Sequence, residues 1–98
     1  MKYYHATTMS NYLGILHDKI IRPGYDHIVY MCEKPEDALK FTYIRGLKEI
    51  IVLTIDLPDD FLVEETFDHS YKFFQCKSFG TLEPIPSKYI KEVRKYEF

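Results

Sequence analysis

Neither a Gly-x-Gly-x-x-Gly run nor a Walker loop occurs in this chain, so neither a Rossmann nor a P-loop phosphate site is supported. Cysteine is scarce. Cys32 and Cys76 are the only two, and they form no Cys-x-x-Cys pair. That usage fits a reduced, cytoplasmic protein with free thiols, and with no paired base neither is a candidate nucleophile. His5, His17, His27 and His69 show no metal-ligand spacing, so no structural zinc is expected. No apolar run approaches the length of a membrane span, and no signal peptide is read at the start. No membrane partner is therefore expected. There is no excess of one charge either. Thirteen Lys/Arg against fifteen Asp/Glu leave −2, which removes any broad electrostatic attraction for nucleic acid. Repeats, low-complexity segments and linkers are absent.

What is present is apolar and aromatic. Hydrophobic residues make up 46% and aromatics 16% of 98 residues, which suits one globular domain over 1–98 with a small core. So many Tyr and Phe side chains suit an aromatic core or an aromatic-lined cleft.

The chain begins with a strand-like Lys2-Tyr3-Tyr4-His5-Ala6-Thr7, followed by the capping residues of Thr8-Met9-Ser10-Asn11. His5 thus sits at a strand end, where a polar side chain can face a cleft. Apolar residues at Met9, Tyr12, Leu13 and Leu16 predict an amphipathic helix to about His17, closed by Asp18-Lys19. Ile20 to Gly24 reads as a turn. His27 to Cys32 reads as a buried strand. A second helix opens at Pro35 with Glu36 and Asp37 at its positive end, buries Ala38, Leu39, Phe41 and Ile44, and stops at Gly46.

Ile50 to Ile55 is the strongest strand and reads as central. Phe61–Glu65 and Tyr71–Cys76 predict two more strands. Pro84 and Pro86 prevent Ser78 to Pro86 from forming one continuous stretch of sheet interior. Tyr89 to about Arg94 predicts a last strand or a short helix. Helices early and antiparallel strands late give an α+β fold.

Three fragments combine: Tyr4-His5-Ala6-Thr7, Val29 to Phe41, and Leu82-Glu83-Pro84-Ile85-Pro86-Ser87-Lys88-Tyr89-Ile90. In order and spacing they resemble the ADP-ribosyltransferase-like superfamily, and within it small bacterial members of about this length. The resemblance spans almost the whole chain. It implies two helices packed on a mostly antiparallel, split β-sheet. It further implies NAD as the bound substrate, with transfer of ADP-ribose to a protein or nucleic-acid acceptor.

By that resemblance His5 and Thr7 hold a ribose, and Tyr30 stacks on the nicotinamide. Phe41 falls where the family has a tyrosine, with Tyr43 two residues on. The third-motif carboxylate is assigned to Glu83, with Glu64 and Glu65 as rivals. The tail from Ile85 to Ile90 also resembles related phosphotransferases, so it marks the fold better than the reaction. Each residue type suits the chemistry. Breaking a ribosyl–nicotinamide bond builds positive charge on the sugar, which a carboxylate stabilises. An aromatic face holds the cationic ring, and a helix start near Thr8 suits a pyrophosphate oxygen.

Plainer roles compete. Tyr30, Phe41 and Tyr43 suit a core, Glu83 a solvated loop, and Arg22, Arg45 and the basic tail an ordinary surface. A non-catalytic member that binds a nucleotide or a protein partner is the alternative, and the loss of a hydroxyl at Phe41 favours it.

Overall fold

A computed structural model describes residues 1–23, 29–44, 46–66 and 78–98. Its first strand, β1 (Lys2–Thr7), leads directly into α1 (Met9–Asp18). Thr8 caps the helix in extended conformation, its hydroxyl accepting the Asn11 N–H at 3.1 Å. Lys19 ends it with a left-handed φ of 63°, donating its N–H to the Ile15 carbonyl at 2.8 Å. This pattern satisfies one of the helix's terminal carbonyls.

A two-residue strand follows, β2 (Ile20–Ile21), then β3 (Val29–Cys32), α2 (Pro35–Ile44) and β4 (Glu49–Asp56). Pro35 occupies the first helical position, and Gly46 follows the helix with a φ of 87°, the conformation glycine adopts without steric cost. Next come β5 (Glu64–Thr66), β6 (Ser78–Thr81), β7 (Ile85–Pro86), a single 3-10 turn (Ser87–Tyr89) and β8 (Ile90–Glu97).

Six strands form one sheet in the order β5-β6-β3-β1-β4-β8, and β2 pairs with β7 in a separate ribbon. Every strand pair among the described residues is antiparallel. The class is α+β, and the β-branched β4 is an interior strand paired on both sides, though it lies next to the β8 edge and the middle positions belong to β3 and β1.

Strand alternation sorts the sheet into two faces. Tyr3, Val29, Met31, Ile51, Leu53 and Ile55 share one core cluster with Ile15 of α1, Ile21 of β2 and Ile85 of β7. Their registers place them on one face, since Tyr3 opposes Ile55 and His5 opposes Leu53. Ile50 and Val52 are buried on the other face. There α2 lies against β1, β3 and β4, with Ala38 buried and the Thr42 hydroxyl bonded back to the Ala38 and Leu39 carbonyls. The helices therefore cover opposite faces, and the sheet is the middle layer.

Several expectations need correction. The buried stripe of α1 is Met9, Tyr12 and Ile15, while Leu13 and Leu16 are 57% and 52% exposed. With only the β2–β7 ribbon and one sheet face to cover, the helix turns Ile15 inward in place of Leu13 and Leu16. Ile20–Ile21 is not part of a turn but a strand paired with Ile85–Pro86. Phe61 to Val63 is not strand. The Phe61 N–H closes a turn onto the Pro58 carbonyl at 3.0 Å, and its ring meets Tyr89 edge-on at 6.2 Å. The Ser78 to Pro86 segment is discontinuous, as its prolines require, yet each end of it is a strand. Tyr71–Cys76, His27, Ile28 and Arg45 lie outside the described residues. No described helix is long and apolar enough to cross a membrane.

Val52 is 3% exposed and pairs on both sides, with Ala6 of β1 and Arg94 of β8. Val52→Asp places an unpaired carboxylate under α2, at a cost of several kcal/mol. Loss of the cooperative thermal transition followed by circular dichroism is the expected result. A melting temperature equal to wild type contradicts an interior, buried β4.

Candidate functional site

Among the described strands of the large sheet, the seam between β1 and β3 has the shortest ladder. β1 pairs with β4 along its whole length, from Lys2↔Asp56 to Thr7↔Ile51. With β3 it makes one rung, Tyr4↔Cys32. β1 runs on to Thr7 with no further ladder pair to β3 among the described residues, so the regular pairing ends short of the start of α1.

His5 lies one residue past that rung. Its Nδ1 is 2.7 Å from the Tyr30 carbonyl oxygen across the seam. A carbonyl can only accept, so Nδ1 carries the hydrogen and donates it. In neutral imidazole this leaves Nε2 as an acceptor. Burial pushes the His5 pKa below its ordinary value, and the bond to Tyr30 pulls in the other direction without cancelling that effect. His5 is therefore a neutral, oriented acceptor at neutral pH.

Thr7 is buried on the same face, opposite Ile51. The α1 N-terminus follows it at once. Thr8 uses its hydroxyl on Asn11, which leaves the first-turn N–H groups of Met9 and Ser10 at the positive end of the helix.

Tyr30 reaches His5 through its backbone and not through its ring. Tyr4 and Cys32 oppose one another, so Tyr30 alternates onto the face that carries Tyr4, away from His5. Val29 and Met31 confirm the parity, because both lie in the core cluster on the other face. Phe41 sits on α2, and its side chain is outside the described part of the structure. Tyr43 is half exposed, and its ring packs on Phe98 at 4.9 Å. Of the predicted aromatic residues, Tyr30 lies on the face that α2 covers and Tyr43 belongs to α2 itself.

The three carboxylates separate by topology. β6 pairs with β3, Thr81 opposing Val29. Glu83 lies two residues beyond, exposed, with its N–H donated to the Thr81 hydroxyl at 3.2 Å. Glu64 opposes Gly80, which opposes Tyr30, so it faces the α2 side. Glu65 opposes Phe79, which opposes Met31, on the face of His5. Glu65 is nonetheless three strands from β1, or roughly 14 Å at ordinary strand spacing. Of the three, Glu83 is the one that the chain places just past the Thr81↔Val29 end of β6.

A separate cavity of about 170 Å³ lies at the opposite end of β1, lined by Tyr3, Leu57, Pro58, Asp59, Phe61 and Val63 among others. It contains none of the predicted site residues. Among the described residues no cluster of His, Cys, Asp and Glu has the makings of a metal site. The role of the Tyr30 carbonyl was not foreseen, because a main-chain acceptor leaves no mark in residue type. Arg22 is exposed and paired with Asp18 at 3.3 Å.

Comparison with models of protein families, with curated proteins and with solved structures gives no significant match.

The depressed His5 pKa fixes a sign. As pH falls through the ordinary imidazole value of about 6.5, the unfolded chain takes up this proton before the folded one does. The contribution of neutral His5 is complete above that value and declines below it toward the depressed folded pKa. His5→Asn, whose amide can still donate to Tyr30, is expected to reduce the loss of urea stability between about pH 7.5 and pH 5. His5→Ala leaves the Tyr30 carbonyl without this donor and costs about 1–3 kcal/mol at pH 8. An unchanged pH slope in His5→Asn contradicts a buried neutral imidazole.

Proposed function

We propose that this chain is an ADP-ribosyltransferase-like domain that takes NAD, or a related nucleotide, at the β1–β3 seam and cleaves its ribosyl–nicotinamide bond. One observation carries the reading. A neutral histidine stands where the sheet ladder stops, anchored by Nδ1, with Nε2 left to accept a hydroxyl. The resemblance of the Tyr4–Thr7, Val29–Phe41 and Leu82–Ile90 segments to that superfamily supports the same assignment.

In this reading His5 orients the ribose through a hydroxyl donated to Nε2, and Thr7 lines the same face. The α1 N-terminus receives a pyrophosphate oxygen. As the C1′–N bond breaks, its electron pair leaves with nicotinamide and the ribose becomes cationic. Glu83 offsets that charge, and a protein or nucleic-acid nucleophile then bonds to C1′. The ring of Tyr30 lies on the α2 face, opposite His5, so it does not stack on a nicotinamide whose ribose His5 holds.

The second reading, a non-catalytic domain that binds a nucleotide or protein partner, is favoured by a specific observation. The Tyr30 ring and His5 face opposite sides of the sheet, and Tyr43 is already packed on Phe98.

Calorimetry with NAD and with ADP-ribose separates these readings when followed by nicotinamide release. Glu83→Gln is expected to keep affinity but to slow turnover by roughly 10²–10³, because the amide can still hydrogen-bond yet cannot stabilise a cation that exists only in the transition state. His5→Ala should weaken both binding and rate. A wild-type rate in Glu83→Gln, with loss in Glu65→Gln or Glu64→Gln, moves the carboxylate to β5. Binding without turnover selects the second reading, and binding of neither ligand removes the nucleotide site and leaves only the protein-binding form of the second.

A further inference from the structure

Among the described residues, the outer edge of the large sheet is β8, eight residues from Ile90 to Glu97, which pairs there only with β4. Lys91, Glu92, Val93, Arg94 and Lys95 are all exposed, and Val93 is 41% exposed in the middle of the strand. A free edge of this length offers a row of backbone donors and acceptors to another strand. Edges are often protected by like charges, but the charges here are of both signs.

We propose that β8 is a homodimerisation edge, pairing antiparallel with β8 of a second copy in the register centred on Val93. The sequence is self-complementary in that register. Val93 meets its own copy, and Glu92 meets Arg94 of the other copy twice over, once on each side of the two-fold axis. Ile90 and Tyr96 fall opposite one another at the ends. A register centred on Glu92, Arg94 or Lys95 instead sets like charges face to face, which opposes pairing.

Within one chain Arg94 Nε and Glu92 Oε1 already lie 2.6 Å apart, so both side chains occupy the same face, as cross-strand pairing requires. The register does bring Lys91 opposite Lys95. Lys95 is balanced by Glu97 at 2.8 Å and Glu49 at 3.7 Å. Lys91 falls where the β4–β8 register shifts, between the Ile55↔Ile90 and Thr54↔Glu92 pairs, and so stands outside the regular ladder.

Charge reversal tests this without disturbing the core, since both residues are exposed. Sedimentation equilibrium of the full chain should show a monomer–dimer equilibrium. Arg94→Glu alone, or Glu92→Arg alone, sets like charges opposite each other twice and should weaken self-association roughly tenfold or more. Mixing the two single variants should restore a dimer containing one copy of each, and the double reversal Glu92→Arg, Arg94→Glu should restore a homodimer. Circular dichroism of each variant checks that the fold is kept. A wild-type chain that stays monomeric, or a dimer indifferent to both single reversals, overturns the proposal.

Discussion

The unequal pairing of β1 governs this molecule. On one side it is zipped to β4 from Lys2 to Thr7, and β4 in turn carries β8. On the other side one rung, Tyr4↔Cys32, joins it to β3, which carries β6 and then β5. The sheet therefore consists of two three-stranded halves joined along a narrow contact. Packing on both faces holds the halves in place. α2 lies across β1, β3 and β4 on one face. On the other, Tyr3 of one half packs its ring on Phe79 of the other at 5.4 Å.

Buried main-chain groups have a need for partners, and leaving it unmet is costly. The His5–Tyr30 bond meets part of it with a side chain. That choice has chemical consequences that a backbone rung lacks. It fixes a tautomer, orients a ring, and places an acceptor nitrogen near a helix start. Glu83 follows β6, the strand next to β3, just beyond the Thr81↔Val29 pair. Glu64 and Glu65 differ from one another only in face, and both lie on the far edge of the sheet.

Much of this was legible in residue order. The β-branched run from Ile50 to Ile55 marked the buried strand. Pro35 and Gly46 marked the limits of α2, and Thr8 stood among the caps offered for α1. Misread features depended on partners distant in sequence. Leu13 and Leu16 fit an apolar stripe as well as Ile15 does, and only the position of the β2–β7 ribbon decides among them. Ile20–Ile21 is a strand only because Ile85–Pro86 lies beside it. The same limit applies to the site. His5 could be recognised as a strand-end histidine, but whether Tyr30 shares its face depends on a register set by the single Tyr4↔Cys32 rung. A slip of one residue would reverse the answer.

The hydrogen-bond capacity of His5 narrows what the seam can hold. With Nδ1–H committed to the Tyr30 carbonyl, only the lone pair of Nε2 remains, so the ligand atom placed there must donate. A phosphate or carboxylate oxygen has no hydrogen to give, and could bind only if the imidazole took a second proton. Burial opposes that, since it holds the pKa down. Hydroxyl and N–H groups satisfy the condition without any change in charge. A sugar hydroxyl therefore fits His5 better than a phosphate does, and any phosphate would be met one turn further on, at the N-terminus of α1. A sugar at the strand end followed by a phosphate at the helix start is the order in which a nucleotide presents these groups. The chain's own order, His5, Thr7, then the first turn of α1, matches it.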